Sequence, residues 1–137
     1  MSNNLTVFYK NIDGNYTDMI QRINNESLIL KFIKKFPSDT SFHNLEEALN
    51  CDDFKTAFIS VHTLKGVALN LSFTKLASVC SELTEYLRNY ENLNISRDIA
   101  IEKFEIIKEN YQKVVHEIIK LEQFWIYEKK KRFSCRR

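Results

Sequence analysis

The stretch Phe54-Lys55-Thr56-Ala57-Phe58-Ile59-Ser60-Val61-His62-Thr63-Leu64-Lys65-Gly66-Val67-Ala68-Leu69-Asn70-Leu71 decides the fold. Its apolar stripe falls at positions 54, 57, 58, 61, 64, 68 and 71, the recurrence of a helix that buries one face. A strand would alternate at every second residue, and this run does not. Asp52 or Asp53 offers an N-cap, because a short carboxylate side chain accepts a hydrogen bond from the unpaired N–H groups of a first helical turn. A helix with such a stripe needs partners along its length, so the run predicts the core helix of a bundle.

Working outward, Ser72 offers an N-cap for a second helix carrying Phe73, Leu76, Val79, Cys80, Leu83, Tyr86 and Leu87. The polar run from Asn89 to Asn94 breaks the pattern, and Ser96 or Asp98 starts a last helix. Its apolar residues, from Ile99 through Phe104, Ile107, Val114, Ile118 and Leu121 to Trp125, predict a rod of about 45 Å ending near residue 128. Upstream, Phe42, Leu45, Ala48 and Leu49 share one face behind a cap from Asp39, Thr40 or Ser41. Leu28, Phe32, Ile33 and Phe36 form a stripe that must stop before Pro37, which pushes its predecessor out of the helical region. The Asn24-Asn25 pair ends a segment holding Tyr16, Met19, Ile20 and Ile23, and Gly14 ends a lead-in holding Leu5, Phe8, Tyr9 and Ile12. The fold class is therefore all-α, an antiparallel four-helix bundle with additional short N-terminal helices.

Composition bounds the alternatives. A chain of 137 residues with two glycines and one proline has little turn punctuation for an all-β fold and a length near one domain. Residues 1–128 are expected to form that domain and 129–137 a frayed or disordered basic tail. The formal charge of +2 divides into about −4 for the body and +6 for the tail. Cations at the end of a long helix complement its macrodipole, so a solvated helix end is preferred over a phosphate-binding arm and no nucleic acid is expected. No run of about 18 uncharged apolar residues occurs, which predicts no membrane insertion and a cytoplasmic protein. Cys51, Cys80 and Cys135 are an odd number without C-x-x-C spacing, which suggests neither a disulfide framework nor a metal site. Phe124, Trp125, Ile126 and Tyr127 are read as closing one end of the core. Glu46-Glu47 and the Glu82, Glu85 pair read as solvated helix acids, and His43 and His116 as ordinary helix residues.

His62 differs from the other histidines. It lies about 100° from Val61 around the helix, off the buried seam. Its own strip holds Phe58, Ile59, Lys65, Gly66 and Leu69. A glycine in a helix interior costs about 1 kcal/mol relative to alanine, so it calls for a local gain. Removing a Cβ one turn after His62 clears space beside the imidazole. Lys65 brings positive charge to an anion attached there, and the aliphatic neighbours supply a modest docking surface. Neutral imidazole is a nucleophile, and an ordinary one with a pKa of about 6.5 is mostly neutral near neutral pH. These are the parts of a histidine that accepts a phosphoryl group from another protein.

The run from His62 to Phe73, with its H-x-L-K-G start, together with Cys80-Ser81-Glu82-Leu83-Thr84, resembles the histidine-containing phosphotransfer (HPt) domain of bacterial multistep phosphorelays. The resemblance extends through Phe36 and Leu45–Leu49 and spans roughly residues 5–125. It implies that His62 is the phosphoacceptor, attacking through Nε2, that Lys65 supports the phosphoryl oxygens and that Gly66 lets a receiver domain approach. Phe58, Ile59 and Leu69 become receiver-docking candidates. It further implies a phosphoryl carrier with no kinase site and no cofactor of its own, magnesium being held by the partner receiver domain. The implied partners are response-regulator receiver domains, with a hybrid sensor histidine kinase as a further candidate. Two positions depart from the pattern: Ser72 stands where members often have glycine, and Thr84, the candidate imidazole orienter, where many carry the longer glutamine or glutamate. The contrasting expectation is a non-catalytic helical adaptor in which His62 is never phosphorylated.

Overall fold

The structure, a computed structural model, describes residues 2–91 and 94–135. The chain forms α1 (Ser2–Asn11), α2 (Tyr16–Arg22), α3 (Glu26–Lys35), a 3₁₀ turn (Phe36–Ser38), α4 (Ser41–Asn50), α5 (Phe54–Asn70), α6 (Thr74–Leu87) and α7 (Arg97–Cys135). No strand occurs among the described residues. Short polar side chains set most of the starts. Asn15, Asn25 and Asp53 each accept a hydrogen bond from the N–H three residues on, at 3.0–3.1 Å, and so cap α2, α3 and α5. Asp39 accepts from the Ser41 N–H at 2.9 Å, and Ser96 accepts from the Ile99 N–H at 3.4 Å.

Helices α4 to α7 make the bundle, with α5 packed between α4 and α6 and α7 closing against both α6 and α4. The three-residue connections after α4 and α5 reverse the chain, so neighbours run antiparallel. The seam of α5 is the expected one: Ala57, Val61, Leu64 and Ala68 are wholly excluded from solvent. They face Leu45 and Leu49 of α4, Leu76, Cys80 and Leu83 of α6, and Ile107, Val114 and Ile118 of α7 within one continuous core. The Asp52–Arg97 ion pair at 2.7 Å ties the α4–α5 turn to the start of α7.

The N-terminal helices clamp the α5–α6 turn. Phe73, fully buried, meets Phe8, Tyr9 and Phe36 with ring centroids 5.2–5.9 Å apart, spacings suited to edge-on and tilted aromatic pairs. The Tyr9 hydroxyl donates to the Leu71 carbonyl at 2.7 Å, and the Asn15 N–H donates to the Ser72 carbonyl at 2.9 Å. Gly14 makes this approach possible: a Cβ there would lie 2.9 Å from the Ser72 carbonyl oxygen and 2.7 Å from the Tyr9 ring.

Three sequence-based expectations are corrected. Ser72 does not cap α6. Its backbone is left-handed, with φ of 58°, and its buried hydroxyl donates to Asp18 Oδ2 at 2.6 Å and accepts from Arg22 Nη2 at 2.7 Å. Phe73 takes the cap position, and the Asp13 carbonyl satisfies the Lys75 N–H at 3.2 Å. Second, the basic residues do not leave the helix at 128. Lysine and arginine are good helix formers, and α7 continues through Cys135, a 39-residue rod of about 58 Å; Arg136 and Arg137 lie outside the described residues. Third, Phe124, Ile126 and Tyr127 do not close the core. They are 41%, 53% and 61% exposed; Trp125 alone of the four is half-buried, lining a cavity with Leu5, Leu30 and Leu121 and carrying the Lys34 ammonium 5.4 Å from its ring centroid.

Candidate functional site

Helix α5 turns its unburied face outward beside the α5–α6 groove. His62 is exposed on that face. Ile59, one turn earlier, and Leu69, two turns later, are each 54% exposed, so both aliphatic side chains are open to a partner on the His62 side of α5. Gly66 is exposed, and among the described residues no atom beyond the helix's own adjacent backbone lies within 4 Å of where its Cβ would stand. Among the described residues the missing side chain therefore makes room for no other group; it leaves open space one turn from the imidazole. Thr63 turns its hydroxyl back onto the Ile59 carbonyl at 2.9 Å and offers nothing to the strip.

Lys65 is half-buried on the side of α5 that faces α6. Among the described residues its ammonium closes no ion pair, but its charge is felt across the groove. It helps lower the Glu85 carboxyl, whose chief lowering comes from the hydrogen-bonded Arg88 and is opposed by burial. It also lowers the Cys80 thiol slightly, although burial dominates there and pushes that thiol up to about 12. Cys80 is thus an inert core group. Lys65 remains a cation on a flexible stem beside His62, available to an anion.

Phe58 is only partly exposed and is engaged inside the chain. Its ring lies parallel to the His62 imidazole, with centroids 6.1 Å apart and planes 10° from parallel. The Arg88 guanidinium sits over the same ring at 5.8 Å, and Tyr90 approaches it at 6.3 Å. Arg88 is in turn fixed by a two-pronged pair with Glu85, at 2.7 and 3.1 Å. Ile59 and Leu69 are therefore free docking candidates, whereas Phe58 is part of an aromatic and cationic cluster around His62.

Thr84 does not meet the imidazole. It is fully buried, and its hydroxyl donates to the Cys80 carbonyl one turn back at 2.8 Å, the local bond that threonine commonly makes within a helix. Among the described residues His62 forms no hydrogen bond or ion pair, and the Phe58 stack is its ring contact. Arg88 and Tyr90 are absent from the sequence-based site. The signal for Arg88 lies in the reversal: Phe58 stands 14 residues before Ser72 and Arg88 stands 16 after it, so antiparallel pairing brings them to one level.

His43 pairs with Glu47 at 3.1 Å on an exposed surface of α4, and His116 is exposed on α7; neither has a glycine one turn on, and the lysine one turn after His116, Lys120, is paired with Glu117 at 3.2 Å. No group of three or more metal-ligating side chains occurs among the described residues, and no helix among them is long and apolar enough to cross a membrane.

A family model described as the Hpt domain matches residues 37–118, which takes in α4, α5, α6 and most of α7. No curated protein and no solved structure matches the chain.

Proposed function

The chain belongs to the Hpt domain family, and from that premise we propose that it carries a phosphoryl group on His62 between the aspartates of receiver domains. Hpt domains act as phosphocarriers in phosphorelays, where they interact with receiver domains and are not kinases. The observation that carries the assignment to His62 is the geometry of its strip: an exposed imidazole on a rigid helix, a cation at i+3, empty space at i+4 and aliphatic groups at i−3 and i+7.

In this reading Nε2 of neutral His62 directs its lone pair at the phosphorus of a receiver's phosphoaspartate. The N–P bond forms as the P–O bond to the aspartate breaks, and the aspartate leaves as a carboxylate. The proton on Nδ1 stays on the ring or passes to water. The reverse displacement delivers the group to a second receiver. The transferring group gathers negative charge on its oxygens, which Lys65 offsets. The divalent cation of the reaction is brought by the receiver. The bundle contributes position: a helix fixed by a packed seam holds the imidazole proud of the surface, so that it enters a receiver's groove without refolding of the backbone that carries it.

The test is transfer of radiolabelled phosphoryl from phosphorylated receiver domains to the purified chain. An acid-labile label on the wild type and none on His62→Gln supports the reading. Receiver binding retained by both forms, with no label on either, overturns it in favour of the adaptor.

A further inference from the structure

We propose that Phe58 is the positioning residue for His62, setting the plane of the imidazole by ring stacking where no hydrogen bond to the ring exists, and that Arg88 holds Phe58 in place to do so. The inference rests on His62 being the phosphoacceptor.

A nucleophilic imidazole must present one nitrogen along the line of attack. Rotation about its terminal torsion is broad, so the ring plane needs an external constraint. In many sites a hydrogen bond to the second nitrogen supplies it. Here that device is missing: Thr84 spends its hydroxyl on the Cys80 carbonyl, and His62 has no hydrogen bond among the described residues. What touches the ring is Phe58, four residues earlier and so on the same helix face. Centroids 6.1 Å apart with a 10° interplanar angle describe an offset parallel stack, within the 4.5–7 Å range of favourable aromatic pairs.

The stack is itself supported. Phe58 packs partly against the core and is faced by Arg88 at 5.8 Å and Tyr90 at 6.3 Å. Both prongs of Arg88 are tied to Glu85, so the guanidinium is held over the ring rather than swinging freely. A flat cation over an aromatic face is attractive. The chain of contacts runs Glu85, Arg88, Phe58, His62, across the groove from α6 to α5. It needs no partner protein, so the free chain presents a ring already oriented.

Two readouts test this. In the free protein, the carbon-bound ring protons of His62 carry the ring-current signature of Phe58; in Phe58→Leu these resonances move toward unstacked values, and in Phe58→Tyr they stay. In single-turnover transfer from a phosphorylated receiver, Phe58→Leu lowers the rate at saturating receiver about tenfold while the receiver concentration for half-saturation changes less than twofold. Phe58→Tyr restores the rate, and Arg88→Met, which keeps the stem but loses the planar cation, lowers it about threefold. A Phe58→Leu variant with unmoved His62 resonances overturns the proposal. So does a change confined to half-saturation, which would make Phe58 a docking residue only. If wild-type His62 takes no phosphoryl group from receivers or from phosphoramidate, the carrier reading fails, and the resonance comparison still decides the stack.

Discussion

Gly66→Ala separates stability from function in opposite directions. A glycine inside a helix costs about 0.8–1.0 kcal/mol relative to alanine. The usual reason to retain one is a neighbour that excludes a methyl group, yet among the described residues nothing beyond the helix's own adjacent backbone lies within 4 Å of the Cβ position. The substitution is exposed and clash-free, so nearly the whole propensity gain, about 0.8–1 kcal/mol, should appear in the free energy of unfolding. For a domain of this size that raises Tm by about 3–5 °C. A receiver that must seat its aspartate within bonding distance of His62 meets the new methyl one turn away. Forcing a methyl group into a close-packed contact costs about 1–3 kcal/mol, so transfer falls about fivefold to a hundredfold. Thermal unfolding followed by circular dichroism reads the first effect, and single-turnover transfer from a phosphorylated receiver reads the second. Phosphorylation by phosphoramidate, a donor too small to touch residue 66, stays at the wild-type rate. A variant that is more stable and transfers as fast as wild type refutes the reasoning that Gly66 is kept for a partner's approach.

Other substitutions probe the frame. Leu64→Ala empties a fully buried position on the α5 seam and should cost about 2–5 kcal/mol in denaturant unfolding. At Ser72, where φ is 58°, Ser72→Gly and Ser72→Ala both lose the hydroxyl that bridges Asp18 and Arg22, but glycine tolerates the left-handed backbone, so the glycine variant should be the more stable by about 1 kcal/mol. The same hydroxyl gives pH dependence. Its hydrogen bond, opposed by burial and aided by Arg22, holds the Asp18 carboxyl below its ordinary value of 3.8. The stabilisation is therefore complete above that value and lost as pH falls through the lower folded-state pKa; the stability gap between wild type and Ser72→Ala should narrow on acidification below about pH 4. Finally, thiol labelling under native conditions should modify exposed Cys51 and spare Cys80, whose thiol is buried and raised to about 12; peptide mass spectrometry after a short pulse distinguishes them.

The helices were legible because their apolar spacing has one physical cause, a single buried face. The seam of α5 through Val61, Leu64 and Ala68 follows directly from it, and of the two aspartates expected to cap that helix Asp53 does so. The same spacing displaced His62, Lys65 and Gly66 from the seam onto one strip. What the sequence hid involves choices that one residue type makes between two roles. A serine after a helix suits an N-cap, and it also serves a left-handed turn when a carboxylate and a guanidinium claim its hydroxyl, as Asp18 and Arg22 do. Thr84 had the right place along the chain, but a threonine inside a helix bonds its own backbone more readily than a side chain on the next helix. Lys129, Lys130 and Lys131 suit either a solvated tail or a continuing helix, and local propensity favours the helix. Arg88 depends on the register between α5 and α6, which packing fixes and one-dimensional periodicity does not display.

A phosphocarrier of this kind holds one nitrogen-bound phosphoryl group, on His62. Phosphorus NMR of the chain after incubation with a phosphorylated receiver domain tests it most directly. A single phosphohistidine resonance is expected, persisting in His43→Gln and His116→Gln and vanishing in His62→Gln. A resonance that survives His62→Gln, or that disappears with either of the other histidines, contradicts it.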